Sequence, residues 1–529
     1  MEIKRSSWGS NVGFLLAAIG SAVGLGNIWG FPYKMGKSGG FSFLVIYIIL
    51  AVIVGMVIMV CELAIGRKTG KGVVGAYQQL AGRFRWIGWL GFMAPVLIMS
   101  FYTVLGGYCM QYMSLNLAEL SFNLSGIYNT TITGAQTFES MLTNPLGCFM
   151  FTLFFMVICM LIVSGGVNKG IEKFNKVGMP ALFFMLIAVI VRSLTLPGAA
   201  EGLKFMFVPS YALKAGFIAE EPGLVSVLAT AGGQMFFSLS LAMGAMITYG
   251  SYLDKKENLV KNSAVIVVAD TIVALMAGLA VIPAAVANGL SRGLAPNEIA
   301  LGGPKLLFIT LQDVFASMGP AGPVFGVIFY LLVLLAAITS TISLMEVVSA
   351  YFLDRAEAKG KARNRKKIVL AIGAVLTAEA LVVAVDGLGS NGLWVPGQKS
   401  FGVAMWNDCW LDFMDCWSEG IAMPLGALLM SLMIGWEKKP DFILEEVHRS
   451  AKASVFDKFL SFSIKFIVPI VMSLILAGQL IDFFGTGANM YFVRPLSYGI
   501  SVAVLGVGLL LSILPKTEKL PVQAKPSLD

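Results

Sequence analysis

The chain has 529 residues, of which 57% are apolar and only 13% are charged. A mean hydropathy of +0.81 is typical of a helical protein that crosses the membrane many times, and it argues against a soluble globular protein. The formal net charge is +8, but most basic residues lie in alternate loops, as in membrane proteins, so the charge does not indicate nucleic-acid binding. One histidine and six cysteines without a CxxC pair favour neither a metal cluster nor a disulfide framework.

The first apolar run predicts a membrane span that breaks near its centre. It extends over residues 6–33 without a charged side chain, which is long enough to cross a bilayer. Residues that weaken a helix interrupt it at Gly20, Gly24, Gly26, Gly30 and Pro32. In hydrocarbon, a broken helix is tolerated only where its freed N–H and C=O groups face protein, water or a ligand. We therefore expect a binding site at membrane depth; the alternative is a glycine face for close helix packing.

Apolar runs of about 18 to 25 residues predict twelve membrane spans. They lie near residues 11–35, 41–65, 87–118, 146–164, 174–194, 224–252, 262–287, 322–353, 368–385, 411–435, 459–484 and 495–514. The sixth span is also interrupted, because glycines and the serines Ser238 and Ser240 lie at its middle. Corresponding breaks in two halves of a chain indicate the central site of a transporter built from inverted repeats.

We expect an all-α integral membrane protein with one transporter domain over residues 1–529. The two five-helix repeats, residues 11–194 and 224–435, would have opposite orientations because each holds an odd number of helices. Two further helices would follow over residues 459–514. With the N-terminus inside, the inside loops collect most of the 38 Lys and Arg residues, which predicts that both termini are cytoplasmic. The basic cluster at residues 355–367 is then a solvated inside loop, with anionic lipid or nucleic acid binding as the alternative.

Several short motifs occur in order along the chain. They comprise Arg5 and Trp8, residues 22–27, Phe31 and Pro32, Gly39 and Gly40, Phe101 and Tyr102, residues 234–240, Ser251 and Tyr252, and residues 336–340. At these spacings the sequence resembles the neurotransmitter:sodium symporter family, in particular its bacterial amino acid transporters of the leucine-transporter fold. The resemblance covers nearly the whole chain. It implies twelve transmembrane helices with discontinuous helices 1 and 6, a bacterial-type cytoplasmic (inner) membrane, and sodium-coupled symport by alternating access.

The resemblance also implies two Na+ sites. The first would be formed by the Ala22 carbonyl, Asn27, Ser238 and Asp270, together with the substrate carboxylate. The second would be formed by the carbonyls of Gly20, Val23 and Ala336 and the hydroxyls of Thr339 and Ser340. Such oxygen ligands suit a hard monovalent cation. For Thr339 and Ser340, hydrogen bonds to their own helix are the alternative interpretation.

The matching substrate pocket would hold a neutral, zwitterionic amino acid, either aliphatic or aromatic. Its lining would comprise Ser21, Ala22, Gly24, Leu25, Gly26, Ile98, Tyr102, Phe237, Ser238, Ser240, Met243, Ser340 and Leu344. Family members that carry biogenic amines resemble one another in having an aspartate at the position of Gly24, so a substrate of this chain should bring its own carboxylate. We expect a mainly hydrophobic amino acid. Because the first ion would touch the substrate carboxylate, each would raise the affinity for the other.

Asp270 distinguishes the chain from animal relatives, which have asparagine there, a serine four residues later, and a need for chloride. Position 274 is alanine here. A fixed carboxylate beside the sodium ion supplies the compensating negative charge. The sequence therefore predicts transport that does not require chloride.

Alternating access needs a gate on each side of the site. Inside, Arg5 and Asp354 match the family's charge pair, with Trp8, Ser251 and Tyr252 nearby. Outside, Tyr102 and Phe237 match the aromatic lid, and Asp415 matches the acidic half of an ion pair. The arginine partner is replaced by Gly30, so we hypothesise that Lys34, one turn further out, reaches Asp415.

Three other intramembrane features have less definite roles. Glu62 is expected to hydrogen-bond the broken backbone, and Glu346 has no assigned role. Gly170 and Pro180 have the spacing of a segment that unwinds in relatives, with a simple kink as the alternative.

Two other functions stay open from the sequence. The first is a proton-coupled permease of the same architecture, and the second is a ligand-gated sensor or channel. An enzyme is disfavoured, because the sequence shows no nucleophile with a base, no metal cluster and no phosphate loop. The oligomeric state is not predicted.

Overall fold

The computed structural model describes residues 7–80, 82–124, 134–299, 301, 306–360, 364–389, 410–485 and 489–514, and within them the protein is all-helical, without β-strands. The principal helices are α1 (Asn11–Ala22), α2 (Gly26–Lys37), α3 (Phe41–Thr69), α4 (Ile87–Leu124), α5 (Pro145–Ser164), α6 (Val167–Leu194), α7 (Leu224–Ser238), α8 (Ala245–Gly250), α9 (Leu259–Ser291), α10 (Gly322–Ala358), α11 (Arg365–Val385), α12 (Phe413–Lys438), α13 (Val455–Phe484) and α14 (Met490–Ile513). Shorter helices between them are Val73–Leu80, Gly134–Leu142, Ala199–Phe207, Leu311–Ala316 and Asp441–Val447.

Ten of these helices are long and apolar enough to cross a membrane, counting only the described residues. The bent pair of α1 and α2 makes an eleventh candidate span. The predicted sixth span corresponds to α7, an apolar helix of 15 residues, followed by the six residues of α8. The all-helical membrane architecture is confirmed, whereas the count of twelve stays a prediction.

The first span breaks where its glycines predict. α1 ends at Ala22, and the backbone of Val23 is extended, with φ −79° and ψ 96°. α2 starts with a π-helical turn and bends away from α1 by 45°. At this break, some N–H and C=O groups of residues 23–25 make no hydrogen bond within a helix. These groups face the centre of the bundle.

The second break lies between α7 and α8 and contains unusual backbone angles. Ser240, Ala242 and Gly244 have φ of 53°, 58° and 76°. Two of them are not glycine, and a left-handed conformation costs such residues roughly 1–2 kcal/mol each. The surrounding contacts therefore have to hold this segment in place.

Glu62 on α3 is one of those contacts. Its Oε1 atom accepts a hydrogen bond from the backbone N–H of Ala242 at 2.6 Å, and its side chain is buried. The expectation that Glu62 hydrogen-bonds broken backbone is confirmed. The two breaks are also joined directly, because Oγ of Ser240 donates to the carbonyl of Ser21 at 2.8 Å.

α6 begins at Val167, before the predicted start near residue 174. Its first turns carry charged side chains, which a hydropathy reading excludes from a span. Glu172 is nevertheless buried, because its carboxylate accepts from the Gly9 N–H at 2.7 Å and pairs with Lys176 at 2.7 Å. The N-terminal segment thus pairs with the start of α6.

The centre of the bundle is formed by α4 and α10, which pack along each other over much of their 38 and 37 residues. α1 packs against α6, α9 and α10. α13 packs on α7, α12 and α14, and α14 packs on α12 and α13. The two broken segments are therefore enclosed by α3, α4, α9 and α10, which position the site described next.

Candidate functional site

The side chains predicted for the first sodium site meet between α2, α7 and α9. Nδ2 of Asn27 lies 2.7 Å from Oδ1 of Asp270 and 2.9 Å from Oγ of Ser238. The Ser238 hydroxyl is in turn 2.9 Å from both carboxylate oxygens of Asp270. All three side chains are fully buried. Ala22, the fourth predicted ligand, ends α1 and lines the adjacent cavity.

Tyr47 on α3 also belongs to this cluster, and sequence analysis missed it. Its hydroxyl donates to Oδ2 of Asp270 at 3.1 Å and lies 3.3 Å from Oγ of Ser238. A tyrosine inside an apolar helix is ordinarily a core residue, so the sequence carried no signal for this contact.

The side chains of this cluster are suited to bind a cation. The hydrogen-bond partners of Asp270 in the described chain are Asn27, Ser238 and Tyr47, and all are neutral. A buried carboxylate is costly unless a cation accompanies it. Carboxylate, hydroxyl and carbonyl oxygens are ligands that Na+ accepts, and Asn27 would contribute its amide oxygen, which here accepts from the Gly24 N–H. With that oxygen, these residues suit the predicted ion.

The five groups predicted for the second sodium site lie together where α1 passes α10. Oγ1 of Thr339 is 2.9 Å from the carbonyl oxygen of Ala336 and 3.4 Å from that of Val23. Oγ of Ser340 is 3.5 Å from the carbonyl oxygen of Gly20. The contact from Thr339 to Ala336 is also the bond to its own helix that formed the alternative interpretation, so the geometry accommodates both.

A small cavity lies between these two sites. Its lining comprises Ser21, Ala22, Gly24, Gly26, Ile98, Tyr102, Phe237, Ser240, Met243, Ser340, Ser343 and Leu344. Two predicted residues, Leu25 and Ser238, lie beside it. The N–H of Leu25 donates to the Tyr102 hydroxyl at 2.8 Å, and Ser238 faces Asp270. Ser343 is a lining residue that sequence analysis missed.

Gly24 lies where no side chain fits. A Cβ atom added there would come within 2.5 Å of the Tyr102 hydroxyl and would also collide with Oγ of Ser340. The N–H of Gly24 donates to Oδ1 of Asn27 at 3.1 Å. The backbone of the first break therefore approaches α4 and α10 closely, and its N–H groups face the end of the cavity where Tyr102 lies.

The cavity is covered on one side and plugged on the other. The rings of Tyr102 and Phe237 lie over it with centroids 6.3 Å apart and separate it from a wider vestibule. On the opposite side, Nε1 of Trp8 donates to the Tyr249 carbonyl at 3.1 Å, and its ring packs edge-on against Tyr249 and Tyr252. Trp8 thus closes this side of the cavity.

The hypothesis that Lys34 reaches Asp415 is wrong. The ammonium of Lys34 contacts Oε1 of Glu419, and the two side chains are only 14% and 6% exposed. Glu419 lies one helical turn beyond Asp415 on α12. It fits there because Gly233 on α7 has no side chain: an added Cβ would come within 2.6 Å of Oε1 of Glu419.

The place left by Gly30 is filled by Gln234 of α7. An added Cβ at Gly30 would lie 2.9 Å from Oε1 of Gln234. Nε2 of the same side chain donates to the carbonyl of Gly26 at 2.7 Å. Gln234 is fully buried and links the two broken helices outside the cavity.

Comparison with known proteins decides the family. The sequence profile of the sodium:neurotransmitter symporter family matches residues 5–143 and 139–517. The chain belongs to this family. The sodium-dependent transporter YhdH of Bacillus subtilis (strain 168) is 36% identical over 481 residues, which cover 90% of this chain and 97% of that protein. The sodium- and chloride-dependent GABA transporter 2 of Mus musculus is 25% identical over 410 residues, which cover 71% of this chain and 66% of that protein.

The symporter also resembles a solved structure, that of MhsT in complex with L-phenylalanine. The two chains are 34% identical with a TM-score of 0.75, and the match covers 90% of this chain and 100% of MhsT. MhsT is a transporter of the leucine-transporter fold. The predicted family and membrane location are thereby confirmed, and the family consists of sodium-dependent transporters, as predicted.

The predicted inner gate is described only in part. Arg5 lies outside the described residues. Asp354 is buried, and its Oδ2 atom accepts from the Gly72 N–H at 2.8 Å. Ser251 and Tyr252 follow α8 and lie beside Trp8. The backbone nitrogen of Trp8 is 3.5 Å from the carbonyl oxygen of Tyr252.

Next to this gate, the symporter has a buried ion pair that sequence analysis missed. Glu346 on α10 is fully buried, and its Oε1 atom accepts from Nη1 of Arg365 at 3.1 Å and from the Tyr252 hydroxyl at 2.7 Å. Arg365 also donates to the carbonyl of Val163 at 2.9 Å. The prediction that Arg365 lies in a solvated loop is therefore corrected. Its guanidinium is mostly buried because it pairs with the buried carboxylate of Glu346.

The segment with Gly170 and Pro180 is helical in this conformation. Residues 167–172 form a π-helical turn, and Gly170 packs on the carbonyl of Ile162 so closely that a side chain would collide. Both the unwinding and the kink stay predictions.

Proposed function

We propose that this symporter couples sodium entry to the uptake of a neutral, mainly hydrophobic amino acid by alternating access. The observation that carries the proposal is the direct continuity between the cavity and the Asp270 cluster. The N–H of Gly24 bonds Asn27 in that cluster at 3.1 Å, and the N–H of Leu25 bonds Tyr102 at 2.8 Å. A substrate carboxylate at this end would contact both the ion and the backbone of the first break.

Two sodium ions are proposed, in the sites named from the sequence. The first ion would shield Asp270 and meet the substrate carboxylate, so that ion and substrate bind together. The second would be held by neutral oxygens of α1 and α10. Since one ligand group lies on a broken helix and the other on α10, ion binding would fix the distance between these elements.

The proposed substrate class follows from the cavity lining. Carbonyls freed by the breaks would accept hydrogen bonds from the ammonium group, and Gly24 leaves no room for an acidic side chain that would replace a substrate carboxylate. Ile98, Met243 and Leu344 form an apolar wall. The complex of MhsT with L-phenylalanine, a neutral amino acid, supports this class.

Chloride independence is proposed from Asp270. The carboxylate is fully buried beside the neutral groups that would hold the first ion. It would supply the negative charge that a chloride ion supplies elsewhere. The relative from Mus musculus carries chloride dependence in its name, so the proposal implies a difference between the two proteins.

We also propose the arrangement in the membrane. It has twelve spans, with inverted repeats at residues 11–194 and 224–435 and two further helices at residues 459–514. Both termini would lie on the cytoplasmic side of a bacterial-type inner membrane.

A competition experiment tests the proposed substrate class. Purified protein in NaCl is incubated with tritiated L-phenylalanine and a panel of unlabelled amino acids and amines. We expect neutral amino acids with apolar side chains to compete. Competition only by charged amino acids, or only by amines that lack a carboxylate, would contradict the proposal.

A further inference from the structure

Three serines meet at the end of the cavity opposite the Tyr102 lid. Ser21 precedes the first break, Ser240 lies in the second break, and Ser343 lies one helical turn beyond Ser340 on α10. Oγ of Ser21 is 2.8 Å from Oγ of Ser343 and 3.2 Å from Oγ of Ser240. All three line the cavity. The floor of the pocket is thus polar between apolar walls.

Each hydroxyl proton in this group has an acceptor within the protein. Oγ of Ser240 donates to the Ser21 carbonyl at 2.8 Å, and Oγ of Ser343 donates to the Ser340 carbonyl at 2.7 Å. Ser21 then donates to one of the other two hydroxyl oxygens. A hydroxyl has one proton and two lone pairs, so the hydrogen-bonding capacity that is left at this floor consists of acceptors.

We propose that this floor selects amino acids whose bulky side chain has a hydrogen-bond donor near its tip, such as an indole or a phenol. The inference rests on the proposed function, since it names the substrate class of the same pocket. A donor gains a bond to the Ser21 oxygen without breaking one, whereas the Ser343 oxygen also faces the buried Tyr249 hydroxyl, which has no other hydrogen-bond partner among the described residues. An acceptor would first have to displace a bond within the protein, and an apolar tip would gain none.

The walls define the rest of the side chain. Ile98, Met243 and Leu344 require an apolar body between the backbone-binding end and the floor. Methionine adapts to varied shapes, and its sulfur packs well against aromatic rings. A short hydroxyl side chain would leave this wall uncovered, whereas an aromatic ring with a polar edge satisfies both the wall and the floor.

Two substrate pairs test the inference on the wild-type protein. The first is L-tryptophan with L-3-benzothienylalanine, in which sulfur replaces the ring N–H, and the second is L-tyrosine with L-phenylalanine. Dissociation constants are measured by calorimetry on the full chain in saturating NaCl. We expect the donor member of at least one pair to bind about fivefold more tightly, the range for one net hydrogen bond. Equal affinity in both pairs would overturn the inference.

Alanine variants test which serine causes the preference for side chains with a hydrogen-bond donor. At least one of Ser21→Ala and Ser343→Ala should bring the ratio of the preferred pair close to one. Ser431→Ala is the matched control, because Ser431 on α12 is also buried and donates to the carbonyl three residues earlier, Leu428, at 2.6 Å. It should leave the ratio unchanged. A ratio that persists in both cavity variants would overturn the inference.

The same titrations separate this inference from the proposed function. If both members of each pair bind equally in NaCl, only the donor preference is wrong. If no member binds, and L-leucine does not bind either, the proposed function itself is wrong. Should Ser343→Ala fail to fold, the wild-type ratio together with Ser21→Ala still decides the inference.

Discussion

The ammonium of Lys34 on α2 contacts the carboxylate of Glu419 on α12, and this pair joins the outer half of the first broken helix to the opposite wall of the vestibule. Both side chains are mostly buried, so the pair is protected from the screening that weakens surface ion pairs. It supplies a cation near the place where the sequence predicted an outer gate with only its acidic half.

Lys34→Gln should weaken closure of the outer side. Removing one partner leaves a buried charge unpaired, and for a partly exposed pair we expect a loss of about 1–2 kcal/mol in the closed state. Labelled L-phenylalanine should then dissociate several-fold faster. Lys204→Gln is the control, because its pair with Glu201 is half exposed. Identical dissociation rates for the two variants would show that the pair does not act as a gate.

Asp270→Asn should reduce sodium-dependent substrate binding at least tenfold in chloride-free medium, because the buried ion would lose its compensating charge. Wild-type uptake should be unchanged when gluconate replaces chloride. Asp313→Asn is the control, since Asp313 pairs with Arg292 away from the cavity. Uptake by the wild type that disappears in gluconate would refute the proposed role of Asp270.

Thr339→Val should raise the half-saturating sodium concentration about tenfold, because it removes a ligand oxygen while keeping the shape of the side chain. The control is Thr377→Val on α11, where Oγ1 donates only to its own helix, to Gly373 at 2.6 Å. Sodium titrations of binding measure both variants. If they behave alike, the Thr339 hydroxyl serves its own helix and not an ion.

Glu346→Gln should lower thermal stability. Glu346 is fully buried against Arg365, and breaking such a pair costs about 3–5 kcal/mol. The apparent melting temperature in detergent should fall clearly, and a Glu346→Gln, Arg365→Gln double variant should recover part of the loss. Glu445→Gln is the control, because Glu445 is 72% exposed in its pair with Lys68. A melting temperature equal to that of the control would contradict the structural role.

The sequence was most informative where glycines or family motifs mark a position. Glycines inside apolar runs predicted both helix breaks, and short motifs named the groups that the structure brings within 3.5 Å of Thr339 and Ser340. Contacts between residues outside such motifs were not predictable in this way. Arg365 had the pattern of an ordinary inside loop, and only the fold shows that Glu346 holds it.

Ser343, Tyr47 and Glu419 were missed for a related reason. Serine and tyrosine in apolar helices usually bond their own helix or pack in the core, so their type does not indicate a site. Glu419 could be chosen over Asp415 only once the room left by Gly233 was known. Close approach of two backbones is a property of packing, and a single sequence does not contain it.

The central claim is that sodium drives amino acid entry through the cavity between the two broken helices. The most direct measurement is the uptake of tritiated L-phenylalanine into proteoliposomes under an inward sodium gradient, compared with a potassium medium carrying an inward proton gradient. The account predicts accumulation above equilibrium only with the sodium gradient, and its loss when a sodium ionophore is added. Equal accumulation in the sodium-free medium would contradict the account and indicate a proton-coupled permease.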